Sequence, residues 1–166
     1  VGAGCLILRD TGRTLSVGGF DKDIGTLKDI KVVTSALACD CPTTPKTFVL
    51  IFHESSHIPN MEGHPLCPYQ MRAQGITVND APLQHPQETA RTKEMHSIPH
   101  EDSSLHIPMN LNGTMSGFAV RKPAWEEIQD PTKDVTFVHM TSDPPWEPVS
   151  FDHSRIEQAF RDDMDR

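Results

Sequence analysis

His53, Glu54 and His57 stand in the stretch TFVLIFHESSHIP (residues 47–59) at the spacing His-Glu-x-x-His, by which helical zinc peptidases hold a metal ion and a general base. That chemistry requires a helix, because only there do side chains four residues apart reach one ion. The neighbouring residues predict a strand instead. Phe48-Val49-Leu50-Ile51-Phe52 is a short apolar run rich in aromatic and β-branched types, Ser55 and Ser56 are poor in a helix interior, and Pro59 disfavours helical backbone at Ile58. On an extended chain the two imidazoles stand about 13 Å apart. His64 and Glu62 are also misplaced as a third ligand. A zinc peptidase with His53 and His57 as ligands and Glu54 as base is an alternative reading, not the leading one.

Asp10-Thr11-Gly12 is a second protease-like signature, the tripeptide of aspartic proteases that act as paired carboxylates. Two such carboxyls must share a proton in a tight, partly desolvated turn. Arg9 and Arg13 flank this tripeptide and favour an ionised Asp10, which opposes proton sharing. The plainer expectation is a turn leading into a strand at Thr14–Val17.

The elements that would position these residues are short. Strands are expected at Cys5–Leu8, Thr14–Gly18, Ile30–Ala38 and Thr47–Phe52, separated by turns such as SVGGFD and CDCPTTPK. CPYQMRAQG predicts a short helix with Pro68 at its first position and Gly75 as its stop, followed by a strand at Ile76–Val78. Residues 79–104 lack periodicity and read as a linker. Beyond it, a hairpin is expected about Asn112-Gly113, a helical turn over Trp125–Gln129 and a strand over Val135–Met140. A terminal helix capped by Asp152 would carry Ile156, Phe160 and Met164 on one face. The fold class expected is mainly β: a small barrel over residues 1–79 with one short helix, then an extended, partly ordered region over residues 80–166.

Composition agrees with this division. Residues 1–79 hold seven basic and seven acidic side chains, whereas residues 80–166 hold eight and sixteen, which accounts for the net charge of −8. The acidic excess provides no general footprint for nucleic acid, and Arg121 and Lys122 beside Trp125 read as a solvated loop edge. No apolar run is long enough to span a membrane and no export signal is expected. Cys5, Cys39, Cys41 and Cys67 lack zinc-ribbon spacing and read as reduced, buried thiols.

VGAGCLIL, the first eight residues, matches the continuation of an aspartic-protease loop of the type Asp-Ser/Thr-Gly-Ala. Val1 takes the Ser/Thr place, Gly2 and Ala3 match, and an apolar strand follows. On this alignment the acid lies one residue before Val1. RTLSVGGFD, VVTSALACDCPTTPKTFVLIFHESSHIP, LCPYQMRAQGITVNDAP, MHSIP, LHIPMNLNGTMSGFAVRKP and MTSDPPWEP then follow in order. Together these blocks resemble the protease region of copia-type retrotransposon polyproteins, with the segment leading towards the integrase. In that family a strand end and a loop take the place of His53–His57.

The resemblance implies a retropepsin-like β-barrel that forms a homodimer, cleaves its own polyprotein and works inside an intracellular retroelement particle. It implies no cofactor and no metal. Gly2 and Ala3 would be the remnant of the catalytic loop, the acid itself lying outside the chain, so this fragment is expected to be inactive; a non-catalytic polyprotein spacer is the alternative. Val1 departs from the family in lacking a hydroxyl, Gly4 in replacing a polar residue, and Leu66-Cys67-Pro68 in lacking a glycine before the helix.

Overall fold

A computed structural model describes residues 1–19, 22–83, 92, 94–146 and 153–164. Its main element is a four-stranded sheet in the order β1 (Leu6–Gly18), β2 (Thr26–Asp40), β3 (Thr47–His57) and β8 (Val135–His139). The first three strands are antiparallel neighbours, and β8 lies parallel to β3. Between β3 and β8 come α1 (Pro68–Ala73), β4 (Ser97–His100), β5 (Leu105–Pro108), β6 (Asn110–Asn112), β7 (Met115–Gly117) and α2 (Trp125–Gln129). The short strands form two hairpins, β4 with β5 and β6 with β7. The chain's last described element is α3 (His153–Met164).

β3 is central because its apolar run can be buried on both faces, a pattern that strict alternation would not give. Phe48, Leu50 and Phe52 point into the larger core with Val33, Leu37, Met71, Ile98 and Met140. Val49 and Ile51 point the other way, into a smaller cluster with Ala36. The hairpin of β1 and β2 outruns its support: pairing of β2 with β3 ends at Lys31 and His57, while β1 and β2 stay paired as far as Gly18 and Thr26.

The fold is mainly β, as expected, but among the described residues the sheet does not close into a barrel. β1 and β8 remain its edges. β8 is only five residues long, and β1 carries Arg9, Asp10 and Arg13 around a break in register between Asp10 and Thr14, features that blunt an edge against further pairing. The expected division at residue 79 also fails to separate two cores. Ile98, Leu105, Ile107, Met109, Val138 and Met140 from the second segment complete the core begun by the first.

Several local expectations hold. Pro68 opens α1, and Gly75, at φ +89°, stops it. The hairpin about Asn112-Gly113 and the short helix at Trp125–Gln129 are both present. Others need correction. The two strands expected before residue 19 are one, because the register break at Asp10–Thr14 bends β1 without ending it. The expected linker contains β4, whose Ser97 exchanges backbone hydrogen bonds with Asn79 at 2.9 and 3.1 Å. Ile76 and Val78 are buried yet form no strand. Of the four cysteines only Cys5 is buried, and Cys67 is exposed. On α3, Phe160 and Met164 are exposed, so the expected stripe is uncovered at these two positions; Asp152 and the Ile156 side chain lie outside the described residues. No described helix is long and apolar enough to cross a membrane.

Candidate functional site

The loop Val1–Cys5 enters β1 from beside the far end of β3. The Val1 amino group donates to the carbonyl of Ser56 at 2.6 Å, and Ile58 N–H donates to the carbonyl of Val1 at 3.0 Å. Gly2 N–H donates to His64 Nδ1 at 3.2 Å. Burial, helped by the Val1 ammonium, pushes the His64 pKa down and keeps this nitrogen an acceptor. A Cβ at Gly2 would stand 2.2 Å from the Met61 carbonyl oxygen, so only glycine fits there. Gly2 is buried and Ala3 exposed. A largely apolar cavity of about 820 Å³ is lined by His64, Leu66, Met71, Met109 and Phe118 among others, and no residue of the Val1–Cys5 loop lines it. That volume is in the range of ligand pockets.

His53, Glu54 and His57 all lie on β3, an extended chain, so the helical spacing that a shared zinc ion needs is not formed. Among the described residues no group of three His, Cys, Asp or Glu gathers in metal-binding geometry. What β3 carries here is a bulge. Val33 pairs with Ser55 and Ser35 with Phe52, leaving His53 and Glu54 opposite the single residue Thr34. Glu54 takes a φ of +55°, an uncommon conformation for a residue with a side chain. A bulge re-aims side chains, and these two turn towards residues 139–146.

His53 Nε2 lies 2.9 Å from His139 Nδ1, and His53 Nδ1 lies 3.2 Å from Thr34 Oγ1 and 3.3 Å from Asp143 Oδ1. The planes of the two rings are within 3° and their centroids 5.2 Å apart, so the rings meet end to end rather than face to face. Burial lowers the His53 pKa; Asp143 opposes this, His139 and Arg9 reinforce it, and Glu54 opposes it. The Glu54 side chain is only 4% exposed and is held by Arg13 from β1. It also accepts the Trp146 backbone N–H at 3.1 Å.

Asp10-Thr11-Gly12 makes no paired-carboxylate site. Asp10 accepts Gly12 N–H at 2.9 Å and Lys31 Nζ at 2.8 Å, and the lysine, more than the amide, holds its carboxyl below the usual range. Arg121 is likewise engaged. Its guanidinium pairs with Asp40 at 2.7 and 2.9 Å and with Glu127 at 2.7 and 2.9 Å, tying α2 to the end of β2.

The structure therefore brings Gly2 to a tight turn against β3 and separates the apparent zinc ligands. It also assembles His139, Asp143, Arg13 and Trp146 around the bulge; sequence reasoning named Arg13 only as a neighbour of Asp10 and did not single out the other three. Their one local signal is Asp143-Pro144-Pro145-Trp146, a stiff link between an acid and an aromatic. No family model, no curated protein and no solved structure matches the chain.

Proposed function

We propose that the chain is the retropepsin-like region of a copia-type retrotransposon polyprotein, its catalytic aspartate being the residue before Val1 in that polyprotein. The loop geometry carries the reading: Val1–Cys5 runs directly into the first strand, is pinned to the end of β3, and has at Gly2 a position where no side chain fits. A fixed turn with no room for a side chain supports placing this segment on the inner side of an acid-bearing loop. Two copies would each supply one aspartate to activate a water for peptide hydrolysis, with one carboxyl protonated and the other ionised. Gly2 and Ala3 would bring backbone close to the reacting groups. The apolar cavity beside His64 suits an apolar side chain of a polypeptide substrate cut from the same polyprotein.

The test restores the upstream residues and assays peptide cleavage under mildly acidic conditions, with pepstatin as control and size measurement alongside. A dimer with pepstatin-sensitive cleavage is expected, and the 166-residue chain alone should be inert. A folded, restored protein without such cleavage would mark the domain as a non-catalytic spacer.

A further inference from the structure

Residues 141–146, Thr-Ser-Asp-Pro-Pro-Trp, leave the end of β8 and make contacts with β3, β1 and the region of α1. Met140 belongs to the core, but from Ser142 onward none of these residues does. They are held instead by separate polar and ring contacts. Thr141 Oγ1 donates to the His53 carbonyl at 2.8 Å, and the Ser142 hydroxyl donates to Gln74 Oε1. Asp143 receives the Arg9 guanidinium and lies by His53 Nδ1. The Trp146 N–H reaches Glu54, and its ring meets Tyr69 with centroids 5.6 Å apart.

Part of the receiving surface is set by contacts outside this segment. Arg13 holds Glu54 with a two-pronged contact, and the β3 bulge sets the direction of both His53 and Glu54. Pro144 and Pro145 have no N–H to satisfy and fixed φ, so they space the acid from the aromatic with little loss of chain freedom on binding. A core element is retained by buried apolar area. This segment is retained as a short peptide ligand is, by an acid on one guanidinium, a backbone donor on a carboxylate and one ring on another.

We infer that the β3 bulge, with Arg9, Arg13, Gln74 and Tyr69, is a binding site for an extended peptide in which an acidic residue is followed by Pro-Pro and an aromatic, and that residues 141–146 occupy it as an intramolecular ligand. Such a tethered ligand competes at high effective concentration, so an outside peptide gains access only when the tether's own contacts are weakened.

The experiment uses the full chain carrying Asp143→Ala and Trp146→Ala, with a fluorescein-labelled peptide TSDPPW followed by anisotropy. Saturable binding to the double variant is expected, with at least tenfold weaker binding to the unaltered chain. Adding Glu54→Gln, or replacing the peptide's aspartate by alanine, should each weaken binding at least tenfold. A folded double variant, verified by a dispersed amide spectrum, that binds no peptide overturns the inference, as does binding indifferent to Glu54→Gln. If the double variant does not fold, the single variants Asp143→Asn and Trp146→Ala replace it. Failure of both to fold also overturns the inference, because residues 141–146 would then be an integral part of the fold.

Discussion

His53 and His139, eighty-six residues apart, share one in-line N–H···N contact across the parallel pair β3 and β8. With His53 Nδ1 turned to Asp143 and Thr34, its Nε2 is the acceptor and His139 Nδ1 the donor. A proton on His53 Nε2 would remove the acceptor from this contact.

The pH dependence of stability follows from that contact. Burial lowers the folded-state pKa of His53, and also of His57 and His64, below the ordinary value. The unfolded chain then binds more protons in this range, so the contribution is fully present above about pH 6.5 and is lost as pH falls through the lowered folded values. Urea midpoints should decline from pH 7.5 to pH 5, and less steeply in His53→Gln. A decline of equal slope in that variant would remove His53 as a source.

Gly2→Ala should weaken the loop. The new methyl would stand 2.2 Å from the Met61 carbonyl oxygen and 2.6 Å from that of Gly63, both backbone atoms that cannot swing aside. The expected cost is about 1–3 kcal/mol, as for an overpacked site. Gly117→Ala, where the added Cβ meets nothing within 4 Å, serves as the comparison and should change the urea midpoint little.

Leu50→Ala removes a fully buried side chain from the middle of the central strand. A loss of about 2–5 kcal/mol is expected in chemical unfolding. Leu27→Ala, at a residue 51% exposed on the hairpin, should stay within about 0.5 kcal/mol of the unaltered protein.

Thiol chemistry should distinguish the cysteines. Hydrogen bonds from Thr44 and Thr43 bring the Cys41 pKa down to about 7, whereas burial pushes those of Cys5 and Cys39 up. Near neutral pH, iodoacetamide followed by peptide mapping should therefore find Cys41 alkylated well before Cys5 and Cys39. Equal rates at Cys41 and Cys39 would count against the threonine contacts.

Much of the scaffold was legible because its signals are local. Phe48–Phe52 announces a strand buried on both faces, Pro68 and Gly75 bracket α1 through their backbone restrictions, and Asn112-Gly113 turns a hairpin. Features set by distant partners were not legible. β3 continues through the polar His53–His57 because β2 supplies a ladder as far as Lys31, and Ser97 becomes a strand residue because Asn79 pairs with it. The same limit applies to the bulge. Its geometry depends on a register slip against Thr34, and the residues it gathers come from three separated stretches of chain.

The hairpin that outruns the sheet has a dynamic consequence. Past Lys31 and Thr14 each of its two strands is bonded only to the other, and Leu15, Val17 and Leu27 are each more than a third exposed. A two-stranded ribbon without a third strand or a covered face is marginal in water. Amide protons there should exchange through local opening, while those of Val49 to Ile51 wait for the whole domain to unfold.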